Sequence, residues 1–125
     1  MKKKVMIVED NEEMQILYDV VFKKESNLEI IAQEDNAESA IKKIPELKPD
    51  LIILDVTLPG MNGIELTAYI HSHFPLIKVL VVTAFESERF LSSAKEAGAT
   101  NLITKTDAFE VLDETRRLLG LISKK

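Results

Sequence analysis

The sequence contains no cysteine and few of the residues that interrupt secondary structure, with 4 glycines and 4 prolines in 125 residues. Without cysteine the chain cannot form disulfides, thiolate metal sites or a cysteine nucleophile, and it suits a reducing compartment. We therefore expect a cytoplasmic location. The sequence also lacks low-complexity stretches and internal repeats, which indicates a single domain over residues 1–125 without an internal linker.

Long hydrophobic runs and an excess of basic charge are also absent. The strongest apolar runs, such as Val5–Val8 and Leu51–Leu54, are far shorter than the roughly 20 residues needed to cross a bilayer. Glu9 and Asp10 interrupt the first run too early for the apolar region of a signal peptide. Because 16 Lys and Arg face 21 Asp and Glu, the formal net charge is −5, which disfavours a phosphate backbone as ligand. We expect this domain to bind neither membrane nor nucleic acid.

Hydrophobic residues make up 46% of the chain, and their pattern predicts alternating strands and helices. Short runs rich in branched aliphatic residues are typical of parallel strands buried on both faces. The predicted strands are Val5–Val8, Leu28–Gln33, Leu51–Leu54, Val79–Val82 and Asn101–Thr104. The second is less uniform, so we expect it nearer an edge. The helices predicted between and after them are Glu12–Lys24, Ala37–Ile44, Ile64–Phe74, Glu88–Ala97 and Ala108–Leu119.

Local signals define the ends of these elements. The first helix carries apolar residues at the helical period, namely Ile16, Leu17, Val20 and Val21. Asp10 or Asn11 is placed to cap its first turn. Pro45 and Pro49 are interpreted as marking the passage from the second helix to the third strand. Five strand–helix units with short links predict an α/β fold, a doubly wound parallel sheet with helices on both faces.

Polar residues stand where the predicted strands end. They are Glu9 and Asp10, Asp55, Thr83 and Lys105. Because ligands of open doubly wound sheets bind beyond the carboxyl ends of the strands, we expect these residues to converge. Three carboxylates at one edge repel each other unless a divalent cation lies among them, and an all-oxygen ligand set favours Mg²⁺. Each residue alone has a plain structural explanation, such as a helix cap or a turn, but the joint pattern predicts a phosphoryl site.

Four segments together resemble the response-regulator receiver domains, the CheY-like family of two-component signal transduction. They are Val5–Asp10, Pro49–Gly63, Val82–Ala84 and the stretch from Ala97–Ala99 to Lys105. The resemblance covers the whole chain. It implies a flavodoxin-like fold with strand order 2-1-3-4-5. It also implies a regulatory phosphoacceptor domain that assists its own phosphorylation and dephosphorylation and is not otherwise an enzyme.

The resemblance also implies a role for each residue at the strand ends. Asp55 is expected to accept a phosphoryl group from the phosphohistidine of a sensor histidine kinase or phosphotransfer protein. Thr83 would be the switch hydroxyl, and Lys105 would pair with the phosphoryl group. The implied Mg²⁺ site takes ligands from Glu9, acting mainly through water, Asp10, Asp55 and the backbone carbonyl of Thr57. The phosphorylated domain would then control an output domain or partner.

Two positions depart from the family pattern. Leu102 stands where relatives carry an aromatic switch residue, and Thr106 stands where many carry a proline. Because Leu102 has no polar group to gain from solvent, we expect a switch that is weaker, always inward or absent. The surface of the fourth helix, fifth strand and fifth helix would carry the change. Its apolar residues are interpreted as either a homodimer face or core, namely Phe90, Leu91, Val111 and Leu118.

Two other functional classes stay open. A pseudo-receiver would keep the fold and bind partners without phosphorylation. A hydrolase or phosphatase with an aspartate nucleophile would need D-x-D at the first strand end, where this chain has Glu9-Asp10. Nucleotide-binding glycine motifs do not occur. His71 and His73, two residues apart, do not share a helical face and are interpreted as solvated.

Overall fold

In the computed structural model, which describes residues 2–84, 88–104 and 107–121, five strands alternate with five helices. The strands are β1 (Lys3–Val8), β2 (Leu28–Glu34), β3 (Leu51–Asp55), β4 (Lys78–Thr83) and β5 (Asn101–Thr104). The helices are α1 (Glu12–Phe22), α2 (Ala37–Leu47), α3 (Gly63–His73), α4 (Glu88–Ala97) and α5 (Ala108–Leu118). Within the described ranges, no helix is both long enough and apolar enough to span a bilayer.

The strands form one parallel sheet in the order β2-β1-β3-β4-β5. This confirms the predicted flavodoxin-like fold and the edge position of β2. The register aligns Val8 with Leu54 and Asp55 with Val82. Because β1 and β3 are neighbours at the centre of the sheet, the residues that follow β1 emerge beside the end of β3. The two halves of the sequence-predicted site are therefore brought together.

Alternate strand residues divide the core into one cluster on each face of the sheet. On one face, strand residues such as Met6, Ile52 and Val81 pack against α2, α3 and α4. On the other face, neighbours such as Ile7, Ile53 and Val82 pack against α1 and α5. Both faces of the three central strands are buried, which explains their continuous aliphatic sequences.

The helix α1 forms as predicted, but most of the residues used to predict it face away from the core. Its buried residues are Tyr18, Val21 and Phe22. By contrast, the exposed fractions are 62% for Ile16, 48% for Leu17 and 56% for Val20. Helical periodicity fits both sets, because α1 has two apolar stripes on opposite sides. The bulkier stripe, with its two aromatic rings, faces the sheet.

The helix α2 continues past the predicted end at Ile44 and reaches Leu47, with Pro45 inside its last turn. The interpretation of Pro45 as a helix boundary was therefore wrong. Proline removes one backbone donor, a loss that a helix tolerates better near an end than in its middle. The helix ends instead at Lys48, whose φ of 50° is left-handed and whose N–H donates to the carbonyl of Ile44 at 2.8 Å.

Short polar side chains begin four of the helices. In each case the side-chain oxygen of the N-cap accepts a hydrogen bond from a backbone N–H in the first turn, and the caps are Asn11, Asn36, Asn62 and Asp107. Asn11, and not Asp10, caps α1, with a distance of 2.9 Å to the N–H of Met14. The side chain of Asp10 is thereby left for the edge of the sheet.

Candidate functional site

The carboxylates of Glu9, Asp10 and Asp55 meet at the carboxyl edge of the sheet. One oxygen of each lies within 4.8 Å of an oxygen of the others. Asp55 is the last residue of β3, and Glu9 and Asp10 directly follow β1. Glu9 is 3% exposed, Asp55 is half-buried and Asp10 is exposed. The predicted convergence of the three acids is confirmed, and together they form a cluster that could bind a metal ion.

Hydrogen bonds from nearby loop and helix residues help to position Glu9 and Asp55. The N–H of Asn11 donates to Oε2 of Glu9 at 3.1 Å, and the side-chain amide of Gln15 donates to the Glu9 carbonyl. The N–H of Thr57 donates to Oδ1 of Asp55 at 3.1 Å. A backbone N–H is a good partner for a carboxylate because it stabilises the ionised form. Sequence analysis did not find Gln15, and no motif marks it.

Gly63 allows the start of α3 to lie directly against the backbone of Asp55. A Cβ at this position would be 2.1 Å from the carbonyl oxygen of Asp55 and 2.8 Å from Cα of Val56. The N–H of Gly63 also donates to the carbonyl of Val56 at 2.9 Å. A side chain would therefore displace the strand end that carries the Asp55 carboxylate. The signal in the sequence was the glycine itself, within the segment Pro49–Gly63.

A shallow pocket of about 270 Å³ opens over the acidic cluster. Its lining residues are Glu9, Asp10, Asn11, Met14, Asp55, Thr57 and Ala84. The predicted ligand residue Thr57 thus lines the same pocket as the acids. The carboxylate and backbone oxygens of this pocket are ligands of the type that Mg²⁺ and Ca²⁺ prefer. The pocket is large enough for a small anionic group bound beside a hydrated cation.

Thr83 ends β4 next to this pocket. It is 1% exposed and aligns in the sheet with Thr104 at the end of β5. Ala84, the next residue, reaches the pocket wall. Lys105 and Thr106 lie outside the described residues, so the roles inferred for Lys105 and the effect of Thr106 stay predictions.

The buried phenol of Tyr18 is influenced by the acidic cluster. Its ring lies on the inner face of α1, with 1% of the residue exposed. Burial, followed by the negative charges of Glu9 and Asp55, raises the pKa of Tyr18 well above its ordinary value. The phenol therefore stays neutral at physiological pH. Burial is the larger cause of this shift, and the negative charges of Glu9 and Asp55 add to it.

Two of the predicted switch and dimer positions, Leu102 and Val111, lie in different core clusters. Leu102 is partly buried and packs with Phe90 against the cluster on the α2, α3 and α4 side. Val111 is fully buried on the opposite face of the sheet, so it serves as core. His71 and His73 are exposed, as interpreted from their spacing. The ring of His73 stacks on the ring of Tyr69 at a centroid distance of 4.1 Å.

Sequence comparisons show which known proteins this chain resembles. A family model of the response regulator receiver domain matches residues 5–116. The response regulator protein VraR of Staphylococcus aureus is 35% identical over 115 residues, which are 91% of this chain and 55% of VraR. This chain therefore spans about half the length of that relative.

Comparisons with solved structures also find response regulators. A two-component response regulator of the LuxR family from Aurantimonas superposes with a TM-score of 0.89 and 26% identity, covering 96% of this chain and 86% of that one. A DNA-binding response regulator of the LuxR family from Staphylococcus aureus gives a TM-score of 0.84 and 29% identity, covering 93% and 98%. The fold and the strand order are shared with these proteins.

Proposed function

Because the chain belongs to the response regulator receiver domain family of two-component systems, we propose that Asp55 is its phosphoacceptor. The observation that carries this proposal is the meeting of the Glu9, Asp10 and Asp55 carboxylates in one open pocket. The donor would be the phosphohistidine of a sensor histidine kinase or a phosphotransfer protein. The domain would act as a regulatory acceptor that assists its own phosphorylation and dephosphorylation.

In the proposed reaction, a carboxylate oxygen of Asp55 attacks the phosphorus of the phosphohistidine. A P–O bond forms as the P–N bond breaks, and the imidazole leaves after taking up a proton from solvent. Asp55 is half-buried and lines the pocket, so the phosphodonor can approach its carboxylate from the pocket side. The N–H of Thr57 donates to Oδ1 of Asp55, which helps to orient the carboxylate that we propose as the nucleophile.

The carboxylates of Glu9 and Asp10, with Asp55 and the backbone carbonyl of Thr57, would hold Mg²⁺. Three close carboxylates, with neither histidine nor cysteine among the described pocket residues, fit this ion. When bound, Mg²⁺ would neutralise charge on the transferring oxygens. Glu9 is buried and already bonded to Asn11, so we propose that it acts mainly through a water molecule.

The response to phosphorylation would begin at Thr83 and Lys105. Thr83 stands at the end of β4 beside the pocket, and its hydroxyl would bond the phosphoryl group, while Lys105 would pair with its charge. Leu102 already packs against the core, which supports a switch with little inward movement.

Control of an output through the α4, β5 and α5 surface, and a homodimer there, stay proposals. So do a cytoplasmic location and the absence of nucleic-acid binding by this domain, for which the charge of −5 is the support.

The test is phosphorylation of the purified chain by a small phosphodonor in the presence of Mg²⁺, followed by intact mass spectrometry. We expect a gain of about 80 Da, one phosphoryl group, in the wild type and in Asp50→Asn, and no gain in Asp55→Asn. Asp50 is a matched control because it is also an aspartate next to β3, but it directly precedes the strand, at the end opposite to Asp55. There its carboxylate accepts a hydrogen bond from the N–H of Lys4. Full labelling of Asp55→Asn would reject the proposal.

The same experiment separates the alternative of a pseudo-receiver. A correctly folded wild-type chain that gains no mass with a small donor or with histidine kinases would support binding without phosphorylation. Folding is checked by far-ultraviolet circular dichroism on the sample that is labelled. An Mg²⁺ titration on that sample tests the metal site independently of the phosphoryl group.

A further inference from the structure

The connection between β1 and α1 consists of only three residues, Glu9, Asp10 and Asn11. Two of the three carboxylates of the site lie in this turn. Neither Glu9 nor Asp10 belongs to a strand or helix whose hydrogen bonds would fix its backbone. The direction in which Asp10 points therefore depends on individual contacts made to the turn.

Gln15 of α1 reaches back to this turn with two of its groups. Its backbone N–H donates to the carbonyl of Asn11, the N-cap, at 3.1 Å. Its side-chain amide donates to the carbonyl of Glu9. Long side chains of a helix point towards the N-terminus of the helix. A glutamine four residues after the N-cap can therefore reach a carbonyl that precedes the cap.

The hydrogen bond to the Glu9 carbonyl also acts on Asp10, because the two residues share one peptide group. The carbonyl of Glu9 and the N–H of Asp10 lie in one plane, so a donor to that carbonyl orients the peptide from which Asp10 continues. On its other side, the N–H of Glu9 donates to the carbonyl of Glu34 in β2 at 2.9 Å. The backbone of Glu9 is thus held by β2 on one side and by Gln15 on the other.

Gln15 is in turn held by Gln33 of β2. The side-chain amide of Gln33 donates to the carbonyl of Gln15 at 2.9 Å and to Oδ1 of Asp19 at 3.0 Å. These bonds join α1 to β2, but they do not involve the turn that carries the acids. Gln33 therefore supports α1, whereas Gln15 contacts the acidic turn directly.

We propose that Gln15 is a positioning residue for the cation site. Its side-chain amide orients the Glu9–Asp10 peptide, so that the Asp10 carboxylate meets the other two acids of the cluster. The amide is neutral, so it donates this bond without placing a positive charge beside the cation. The inference rests on the Mg²⁺ site of the proposed function. Loss of a group that orients metal ligands typically weakens metal binding by about tenfold or more.

Gln15→Met tests this proposal, because methionine has a similar length and no N–H donor. Titration with MgCl₂ from about 0.1 to about 100 mM at constant ionic strength, followed by amide NMR shifts, gives the dissociation constant. We expect Gln15→Met to raise this constant roughly tenfold. Gln33→Met is the matched control: it also removes hydrogen bonds that hold α1 and should lower the urea midpoint, but it should leave the Mg²⁺ dissociation constant within about twofold.

A second measurement needs no metal ion. A hydrogen bond to a carbonyl moves the ¹³C resonance of that carbonyl downfield. The Glu9 carbonyl resonance should therefore move upfield in Gln15→Met and stay at its wild-type position in Gln33→Met. Circular dichroism checks that both variants are folded. If Gln15→Met is unfolded, Gln15→Asn replaces it, because an amide one methylene shorter falls short of the Glu9 carbonyl, and the same two results are expected.

Three results would overturn the proposal. They are unchanged Mg²⁺ affinity in Gln15→Met, an equal loss of affinity in Gln33→Met, and an unmoved Glu9 carbonyl resonance in folded Gln15→Met. A wild-type chain that binds no Mg²⁺ would instead reject the metal site of the proposed function, and the carbonyl resonance alone would then decide whether Gln15 orients the turn. Labelling of Asp55 in the wild type does not depend on any of these variants, so the two proposals fail separately.

Discussion

Replacing Gly63 with alanine would test how closely the start of α3 holds the backbone of Asp55. The added Cβ would lie 2.1 Å from the Asp55 carbonyl oxygen, while close carbon–oxygen contacts in proteins are about 3.3 Å. The neighbouring atoms are backbone, so no side-chain rotation can relieve the overlap. The end of β3 and the first turn of α3 must move apart by about 1 Å.

The expected effect is a loss of stability in spite of the better helix propensity of alanine. An alanine in a helix gains up to about 1 kcal/mol over glycine. Overpacking of a close contact costs about 1–3 kcal/mol, and more where only backbone can move. We therefore expect a net loss of about 2 kcal/mol in the free energy of unfolding, which lowers the urea midpoint by about 1 M. The same displacement moves the Asp55 carboxylate, so phosphorylation should also slow.

Urea denaturation followed by circular dichroism measures the first effect, and the rate of phosphoryl gain measures the second. Gly120→Ala is the control, because Gly120 has a φ of +73° and no atom within 4 Å of its added Cβ. That variant carries backbone strain of about 1–2 kcal/mol without a clash, and it should phosphorylate at the wild-type rate. A Gly63→Ala midpoint equal to or above that of the wild type would refute the reasoning.

Other predictions concern charged and titrating groups. Asp10→Asn should weaken Mg²⁺ binding by roughly tenfold or more, since it removes a charged ligand, and unchanged affinity by calorimetry would contradict this. Tyr18→Phe should reduce the loss of stability at high pH: the raised pKa of the buried phenol contributes stability below pH 10 that is lost as the pH rises towards the folded value. The N–H of Asn27, with the guanidinium of Arg116, lowers the pKa of Glu25, so this carboxylate contributes stability above about pH 4.5 that is lost on acidification. Glu25→Gln should therefore flatten the acid side of the stability profile, measured by urea midpoints from about pH 3 to 6.

Much of the fold could be predicted because each central strand is buried on both faces. The runs around Ile52 and Val81 are continuously aliphatic, which is typical of strands buried on both faces. Parallel strands also bring their carboxyl ends to one edge of the sheet. The acids after β1 and β3 therefore converge for a topological reason that the sequence already contains. The strand order itself depended on the family resemblance, since periodicity does not say which strands are neighbours.

The orientation of α1 was harder to predict because its two apolar stripes have the same period. Ile16 and Val20 are as helical in spacing as Tyr18 and Phe22, and the hydrophobic pattern ranks them alike. In the structure the stripe with the larger side chains faces the sheet. The rings of Tyr18 and Phe22, whose centroids are 5.8 Å apart, fill the space between α1 and the sheet. Pro45 was misinterpreted for a different reason, because a proline in the last turn removes one backbone donor and here does not end the helix.

The least predictable residues of the site are those that act through the path of a loop. Gly63 follows Asp55 by eight positions, and Gln15 follows Glu9 by six, so neither pair falls on a common strand or helix face. Their contacts exist because the loop after β3 returns to the strand end and because α1 starts immediately after Asn11. Hydrophobic periodicity shows which face of a helix or strand packs against the core, but it does not show where a loop contacts the strand that precedes it. A contact of that kind has no period, so it becomes visible only when the chain is traced in three dimensions.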